Sequence, residues 1–365
     1  MVRIEKMWER ECFKLFKAIP TFTEQFLELS IRKMLTVYGV MSELKKIPRK
    51  SDHKCRKKLI LHILESAKIN RGIGQASILL VGSSGVGKSS TVNHLFSMKE
   101  GKSVTFAKTS DIVSETRTTT EYILKADDEE FEVKSLELGL VDSPGFNDTD
   151  GMRQDACNFF SIKEFYKKHP AIGGQLPNLI FVMVNANDKR IQGENSNLAK
   201  SLKCLMSLNL IDPVHPNVIG VITHAGDLAK YVKKLTEAEN QARWTKAFEE
   251  KRTLIKNILA KHLHVAAEVV TLENDIEDLE EVDDFTWLPD GKTLQPRNLF
   301  DACIKVLSAN GDQFGQLVVS RVFGKKEHHP DEGFSVPAKD AKAAKLDPEE
   351  KEFLDFFQKT AEGEN

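Results

Sequence analysis

The sequence has few cysteines, no long hydrophobic run and almost no net charge. Its five cysteines are scattered over 365 residues without a C-x-x-C pair, so we expect neither a disulfide framework nor a zinc site, and a reducing compartment. The longest apolar run, residues 179–184, is far shorter than the roughly 18 residues of a membrane span. The formal net charge of -2 gives no field that would attract nucleic acid. The first residues, MVRIEKMWERE, are too charged for a secretory signal. We therefore expect a cytoplasmic protein with no transmembrane segment and no nucleic-acid partner.

What the sequence does contain divides into three regions. Residues 1–73 carry phenylalanine and leucine at roughly helical spacing and predict a helical N-terminal region. The sequence pattern of residues 74–312 is typical of one large domain. Residues 313–365 form a polar tail that we expect to be partly mobile. The basic stretch at 45–58 is either a solvated helix face or a contact for an anionic surface. A peripheral membrane contact therefore stays open.

In the central region, short apolar runs alternate with longer amphipathic segments. Continuous apolar runs are typical of strands that are buried on both faces, and their alternation with helices predicts an α/β fold with a doubly wound, mostly parallel sheet. Ligands bind such sheets at the carboxyl ends of the strands. The predicted strands are 76–82, 136–145, 178–185, 217–224 and 268–274, and the predicted helices lie near 153–168, 194–208, 236–262 and 296–309.

The first predicted strand runs into VGSSGVGKSS, residues 81–90, which fits the P-loop pattern G-x-x-x-x-G-K-[ST]. Glycines allow the backbone to point several N–H groups at phosphate oxygens, and the following helix directs its positive dipole end at the same place. Lys88 would reach the β- and γ-phosphates, and the Ser89 hydroxyl would ligate Mg²⁺. The expected nucleotide contacts are Gly82, Ser83, Ser84, Gly85, Val86, Gly87, Lys88, Ser89 and Ser90.

A second motif, Asp142-Ser143-Pro144-Gly145, follows the next apolar strand. It matches the D-x-x-G of GTPases, in which the aspartate holds Mg²⁺ through water and the glycine N–H contacts the γ-phosphate. Alone, such a tetrapeptide is an ordinary turn. Its place after a P-loop and at a strand end makes Asp142 a candidate metal residue and Gly145 a candidate phosphate contact.

Two later strand ends carry candidate groups for base recognition. GTPases use [NT]-K-x-D, whose aspartate accepts two hydrogen bonds from guanine, and here the strand at 217–224 runs into THAGDL. Asp227 is in place, but Ala225 stands where the lysine is expected. The following strand ends at Glu273-Asn274, where we expect the contact to guanine O6. The order and spacing of these groups predict guanine rather than adenine.

Together, GVGKSSTVN, DSPG, THAGDL and LEN resemble the septin-like P-loop GTPases. The nearest groups in that resemblance are the immunity-associated GTPases called GIMAPs and the GTPase receptors of the chloroplast translocon. The resemblance covers roughly residues 74–310. It implies a P-loop NTPase fold with a six-stranded sheet, GTP or GDP with Mg²⁺ as cofactors, and a GTP-dependent homodimer. It also leaves His224 as the residue that takes the place of the missing lysine.

The resemblance further implies two residues for hydrolysis. In SETRTTTEY, residues 114–122, a switch threonine that ligates Mg²⁺ is expected at Thr118, with Thr119 and Thr120 as alternatives. After the strand at 178–185, the segment NDKRIQGE resembles one whose arginine acts across a dimer in GIMAPs, which makes Arg190 the candidate catalytic arginine. A solvated loop arginine is the plainer interpretation.

The residue after D-S-P-G is Phe146, where Ras-like enzymes carry a glutamine that orients the attacking water. Phenylalanine cannot bond to water, so we expect slow intrinsic hydrolysis that dimerisation stimulates. A GTP-binding scaffold with negligible turnover, which orders a surface for a partner or a membrane, is the alternative. A P-loop ATPase or small-molecule kinase is a third possibility, and D-S-P-G and LEN count against it.

Overall fold

The protein is described from a computed structural model. The predicted N-terminal helical region, its basic stretch and Arg190 lie outside the residues that the structure describes, so those predictions stay untested. The described residues are 75–97, 107, 117–128, 133–146, 151–170, 172, 175–189, 191, 193, 196–275, 279, 281–282, 285–323, 331–341 and 346–362.

Strands and helices alternate along the described chain as the sequence predicts for an α/β domain. In chain order they are β1 (Gln75–Val81), α1 (Lys88–Ser97), β2 (Thr118–Asp128), β3 (Val133–Asp142), α2 (Met152–Lys168), β4 (Leu179–Asn185), α3 (Asn197–Ser207), β5 (Val218–Thr223), a 3₁₀ turn (Ala225–Leu228), α4 (Glu237–Leu263), β6 (Glu268–Thr271), β7 (Glu281–Val282), β8 (Phe285–Trp287), β9 (Leu294–Gln295), α5 (Arg297–Ala309), α6 (Gln313–Phe323), β10 (Asp331–Pro337) and α7 (Pro348–Glu362).

The main sheet has seven strands in the order β10-β2-β3-β1-β4-β5-β6. Strands β3, β1, β4, β5 and β6 are parallel, and β2 and β10 run antiparallel at one edge. The parallel part confirms the doubly wound sheet. The six strands expected become seven because β10, from the C-terminal segment, adds itself to the edge strand β2. A separate small antiparallel sheet joins β7, β8 and β9.

The register of the parallel strands brings the predicted motifs to one edge. Leu80 of β1 lies opposite Asp142 of β3, and Asn185 of β4 lies opposite Thr223 of β5. Because parallel strands end at the same side of a sheet, the P-loop, D-S-P-G and THAGDL follow one another along that side. The topology alone therefore assembles the site.

Strand β1 is buried at every position, which explains its continuous apolar run. Its odd-numbered Leu79 and Val81 join a core cluster with α2, α3 and part of α4. Its even-numbered Ile78 and Leu80 are just as buried and belong to the other face, where α6 packs on β1. The sheet is thus covered on both faces, as in other doubly wound folds.

The segment 313–365 differs from the polar, partly mobile tail that its composition predicts. Helix α6 packs on the sheet, β10 extends it, and Phe353 and Phe357 of α7 belong to the main core cluster. The short helix expected near the end of the chain is confirmed as α7. The composition is misleading because the few aromatic residues of α7 all lie on or near its buried face.

Among the described residues, no helix is long and apolar enough to cross a membrane.

Candidate nucleotide-binding site

The P-loop lies between β1 and the first turn of α1, as the motif predicts. Gly85 and Gly87 have φ values of 72° and 93°, a left-handed conformation that glycine adopts without the usual penalty. A Cβ at Gly87 would lie only 3.0 Å from Asn274 Nδ2, so glycine is also needed there for space. The loop therefore leads directly into a helix N-terminus, whose first N–H groups have no intrahelical acceptor and can serve an anion.

Lys88 lies inside this loop and is only 6% exposed. Its Nζ donates to the carbonyl oxygens of Gly82 at 3.1 Å and Ser83 at 3.2 Å. Burial lowers the pKa of Lys88 to about 8, while the nearby Asp142 carboxylate acts to raise it. A buried ammonium whose charge is poorly compensated fits a site for phosphate oxygens.

Ser89 and Asp142 meet where the sequence predicts a magnesium site. The Ser89 hydroxyl donates to Asp142 Oδ2 at 2.6 Å. Asp142 is 2% exposed, and its other oxygen, Oδ1, has no hydrogen-bond partner in the described part of the chain. Burial raises the pKa of Asp142, and Lys88, Ser89 and the backbone of Ser143 oppose that rise. A hydroxyl beside a buried carboxylate with an unused oxygen fits Mg²⁺ and its bound water.

The D-S-P-G turn lies directly against the P-loop. A Cβ at Gly145 would come within 2.6 Å of Ser84 Cα, so only glycine allows this approach. The Ser84 N–H donates to Phe146 O at 3.0 Å, and Asn158 Nδ2 of α2 donates to Gly145 O at 2.7 Å. The turn is thus held between the P-loop and α2.

The side chain of Phe146 belongs to the core rather than to the site. It is 5% exposed, and its ring stacks on Phe159 of α2 with the centroids 5.0 Å apart. No group at this position can orient a water molecule. The phenylalanine at the position of the glutamine therefore packs in the core.

The base-recognition loop begins at His224, which has a φ of 54°. Its Nε2 is buried without a hydrogen-bond partner in the described part of the chain, and it lies 3.8 Å from where a Cβ of Gly87 would be. His224 thus lies beside the P-loop, where the missing lysine was expected to pack. Ala225 is fully buried with Trp244 and Leu288, which explains why a small apolar residue stands there.

Asp227 and Asn274, two of the predicted base contacts, have different partners. Asp227 is exposed and accepts a hydrogen bond of 2.6 Å from Asn187 Nδ2. Asn274 Nδ2 donates to Thr91 Oγ1 at 3.1 Å and to Gly87 O at 3.3 Å. Asn274 therefore connects the base side of the site to the end of the P-loop.

Glu273 is held by backbone groups. Its Oε2 accepts from the Gly226 N–H at 2.7 Å and its Oε1 from the Asp275 N–H at 3.1 Å. Its own backbone is paired with Gln295, whose amide bonds both the N–H and the carbonyl of Glu273. An ionised carboxylate is only an acceptor and cannot bond to guanine O6, which is also an acceptor. A direct O6 contact from this side chain is therefore not expected.

Thr118 is the first residue of β2, two positions before Thr120, which lies opposite Asp142 in the sheet. Thr119 is fully buried, and its hydroxyl pairs with that of Ser161 at 2.9 Å. Thr118 and Thr120 share the other side of the strand. The geometry therefore disfavours Thr119 as the switch threonine, and Thr118 stays a prediction.

Four residues that support the site were missed by sequence reasoning. Thr223 Oγ1 donates to Val86 O at 2.7 Å, and Trp244 Nε1 donates to Ala225 O at 2.6 Å. Asn158 and Asn187 hold Gly145 and Asp227 as described above. Thr223 begins THAGDL and Asn187 begins NDKRIQGE, so both lie in segments with a signal, whereas Asn158 and Trp244 lie in helices without a motif.

A cavity of about 360 Å³ opens beside the P-loop. Its lining combines backbone and small polar groups of Ser83 and Ser84 with Asn197 and Ser201 of α3. Phe146 closes one wall. Among the described residues, no side chain fills this space beside the P-loop.

Comparison with known proteins finds a family whose model matches part of this chain. A model of the family described as "50S ribosome-binding GTPase" matches residues 77–210, which include the P-loop and D-S-P-G. This part of the chain is therefore similar to the GTPases of that family, and its fold agrees with a P-loop GTPase domain. The match extends over less than half of the chain.

Some of the similar proteins are chloroplast translocon proteins. Translocase of chloroplast 90 from Arabidopsis thaliana is 28% identical over 131 residues, an alignment that covers 35% of this chain but only 14% of that protein. Among solved structures, Toc33 from Arabidopsis thaliana with GDP and Mg²⁺ has 16% identity and a TM-score of 0.42, and covers 78% of this chain and 97% of its own. A structure of the translocon components atToc33 and psToc159 has 18% identity and a TM-score of 0.44, covering 72% and 92%.

Proposed function

We propose that this chain binds guanine nucleotide, hydrolyses GTP slowly by itself, and is stimulated by a nucleotide-dependent homodimer. The observation that carries the proposal is Phe146, which is buried against Phe159 at the position from which a glutamine would orient water. A site with a complete phosphate cradle and no such group is expected to bind far better than it hydrolyses.

The chain's own residues supply binding and charge. The amides of the P-loop and Lys88 would hold the β- and γ-phosphates, and Ser89 and Asp142 would hold Mg²⁺. The metal, when bound, would neutralise charge on the phosphate oxygens. Asn158 bonds the carbonyl of Gly145 and so holds the turn whose glycine N–H would contact the γ-phosphate.

We further propose that the missing positive charge comes from Arg190 of a second copy. This agrees with the resemblance to GIMAPs and translocon receptors and with the open cavity beside Ser84. Positive charge aimed at the leaving oxygens accelerates phosphoryl transfer by factors of about 10³ to 10⁵ in related chemistry. Asp188 and Ile191, the described residues that flank Lys189 and Arg190 in sequence, both line this cavity.

The alternative, a scaffold that binds GTP with negligible turnover, is favoured by one contact. Phe146 O occupies the N–H of Ser84 in the P-loop, so the D-S-P-G turn is closed against the loop in this state. A protein that only had to order a surface on binding GTP would need no more than the release of this bond.

Hydrolysis by Arg190→Ala at high protein concentration tests the proposal. We expect a loss of at least tenfold in kcat with little change in GTP binding, whereas Lys189→Ala, a neighbouring exposed lysine, should behave like the unmodified protein. Equal kcat in both variants would remove Arg190 from the mechanism. No measurable turnover in any of the three would favour the scaffold.

Base choice needs a separate competition experiment. Unlabelled GTP should displace labelled GDP from the protein, and ATP should do so only at far higher concentration, because Asp227 accepts from two guanine donors that adenine lacks. If ATP displaces GDP at the same concentration as GTP does, the result contradicts guanine recognition and favours the ATPase interpretation.

A further inference from the structure

The loop that follows β4 is held against the end of β5. The Ala186 N–H donates to Thr223 O at 2.9 Å, and the Asn187 N–H donates to Asn185 Oδ1 at 2.8 Å. Thr223 in turn donates to the P-loop carbonyl of Val86. The backbone of Asn187 is thus fixed relative to the phosphate cradle.

A lysine from α4 holds the same loop from the other side. Lys251 Nζ donates to the carbonyl oxygens of Ala186, at 2.9 Å, and of Asp188. Two carbonyls on one ammonium form charge-assisted hydrogen bonds, which are stronger than bonds between neutral groups. The residue between these two carbonyls is Asn187, so Lys251 restrains the peptide on both sides of it.

From this restrained position, Asn187 reaches the residue that is expected to read the base. Its Nδ2 donates to Asp227 Oδ2 at 2.6 Å, although both side chains are exposed. A carboxylate has about four acceptor sites. One bond from Asn187 therefore fixes the rotation of the carboxylate and still leaves acceptor sites for two donors of a base.

We propose that Asn187 is a positioning residue for guanine recognition, which pre-orients the Asp227 carboxylate and is itself held in place by Lys251. The inference rests on the proposed function, because it concerns the same nucleotide site. An exposed aspartate would otherwise rotate freely, and freezing it on binding costs affinity. Pre-orientation removes that cost and favours a base that presents two donors side by side.

The test measures affinities for GDP, for IDP, which lacks the 2-amino group of guanine, and for ADP. Asn187→Ala should weaken GDP binding about three- to tenfold, the range expected for the loss of a typical hydrogen bond, because the Asn187–Asp227 contact is exposed to solvent. The affinity for IDP, which gives Asp227 only one donor, should fall less than the affinity for GDP. The ratio of the dissociation constant of IDP to that of GDP should therefore become smaller. Lys251→Met should shift the ratio in the same direction.

Asn187→Asp provides an independent variant with the same shape. It places a second carboxylate where the amide now donates, and like charges at this distance repel. GDP should therefore bind more weakly to Asn187→Asp than to Asn187→Ala. The matched controls are Lys189→Ala in the same loop and Lys246→Met, an exposed lysine on α4, and both should keep the affinities of the unmodified protein.

The outcomes separate this inference from the proposed function. If the unmodified protein prefers GDP over IDP and ADP, and Asn187→Ala and Asn187→Asp keep that preference unchanged, the positioning role is overturned and the function stands. If GDP and IDP weaken equally in these variants, Asn187 has only a structural role and the inference also fails. If the unmodified protein binds none of the three, both the function and the inference fall.

Discussion

Glu273 is a buried carboxylate, 8% exposed, that supports the base-recognition loop through the Gly226 N–H. Glu273→Ala leaves that N–H and the one of Asp275 without their acceptors. We expect a cost of about 1–2 kcal/mol in stability and a several-fold weaker affinity for GDP, because an unsatisfied donor beside Asp227 loosens the loop. Thermal unfolding and GDP titration measure the two effects.

Glu273→Gln is the matched control for this prediction. The amide oxygen of glutamine can still accept from Gly226, although its NH₂ group cannot accept from Asp275. The variant should therefore lose less stability and less affinity than Glu273→Ala. If Glu273→Gln weakens GDP binding as much as Glu273→Ala does, the account of Glu273 as the acceptor that holds Gly226 is wrong.

His94, in the last turn of α1, makes stability depend on pH. It is 8% exposed, its Nε2 has no hydrogen-bond partner in the described part of the chain, and burial lowers its pKa to about 4 from 6.5. Between pH 6.5 and about 4, His94 is therefore protonated in the unfolded chain and neutral in the folded chain. The contribution of His94 to the free energy of unfolding is fully present above about pH 6.5. It falls by roughly 3 kcal/mol as the pH drops towards 4.

Replacing this histidine by an apolar residue should flatten that fall. Urea denaturation of His94→Phe between pH 7 and pH 4 is expected to show a smaller loss of stability than the unmodified protein shows. His215→Phe, at an exposed position, serves as the control for simply removing one histidine. Parallel pH curves for the unmodified protein and His94→Phe would contradict the assignment.

At the residue scale, sequence reasoning works where a motif constrains the chemistry. Gly87, Lys88, Ser89 and Asp142 are required in this order by phosphate and metal, and the structure brings them together. Ala225 could not be understood from its neighbours, because its partner Trp244 lies in α4. Asn187 begins the segment NDKRIQGE, but its contact with Asp227 could not be read from the sequence, since it joins two separate loops.

At the scale of elements, helix α7 carries a link between the C-terminal segment and the D-S-P-G turn. Phe357 is 6% exposed, and its ring lies 6.0 Å from Phe159, which stacks on Phe146. The substitution Phe357→Ala should lower the free energy of unfolding by about 3–4 kcal/mol, because buried surface is lost and a cavity remains. The drop in urea midpoint measures it.

Asp355 lies in the same helix and is exposed. Asp355→Ala should change stability by less than about 0.5 kcal/mol. Should Phe357→Ala be as mild as this control, α7 would not be part of the core, and the polar tail that composition predicts would be the better description of this segment.

The strands and helices of the parallel part were predictable because a buried parallel strand needs a continuous apolar run. The pairing of β10 with β2 was not, because the segment DEGFSVP is short and mostly polar, and edge strands carry little hydrophobic pattern. The small sheet of β7, β8 and β9 was missed for the same reason. Its strands have only two or three residues each.

At the scale of the whole molecule, our proposal is that one chain is equipped to bind nucleotide but not to hydrolyse it quickly. The candidate phosphate, metal and base residues come together within the described part of a single chain, whereas the side chain of Phe146 contributes only packing. In this proposal the positive charge for hydrolysis comes from outside the chain. A second copy is the source that our proposal names, and its effect must depend on protein concentration.

Multiple-turnover GTP hydrolysis over a series of protein concentrations tests this central claim most directly. We predict that phosphate released per molecule of protein rises with concentration and then levels off, and that a GTP analogue, but not GDP, produces a dimer over the same range. A rate per molecule that is constant from the most dilute to the most concentrated sample, with the protein monomeric in the analogue, would contradict activation by dimerisation.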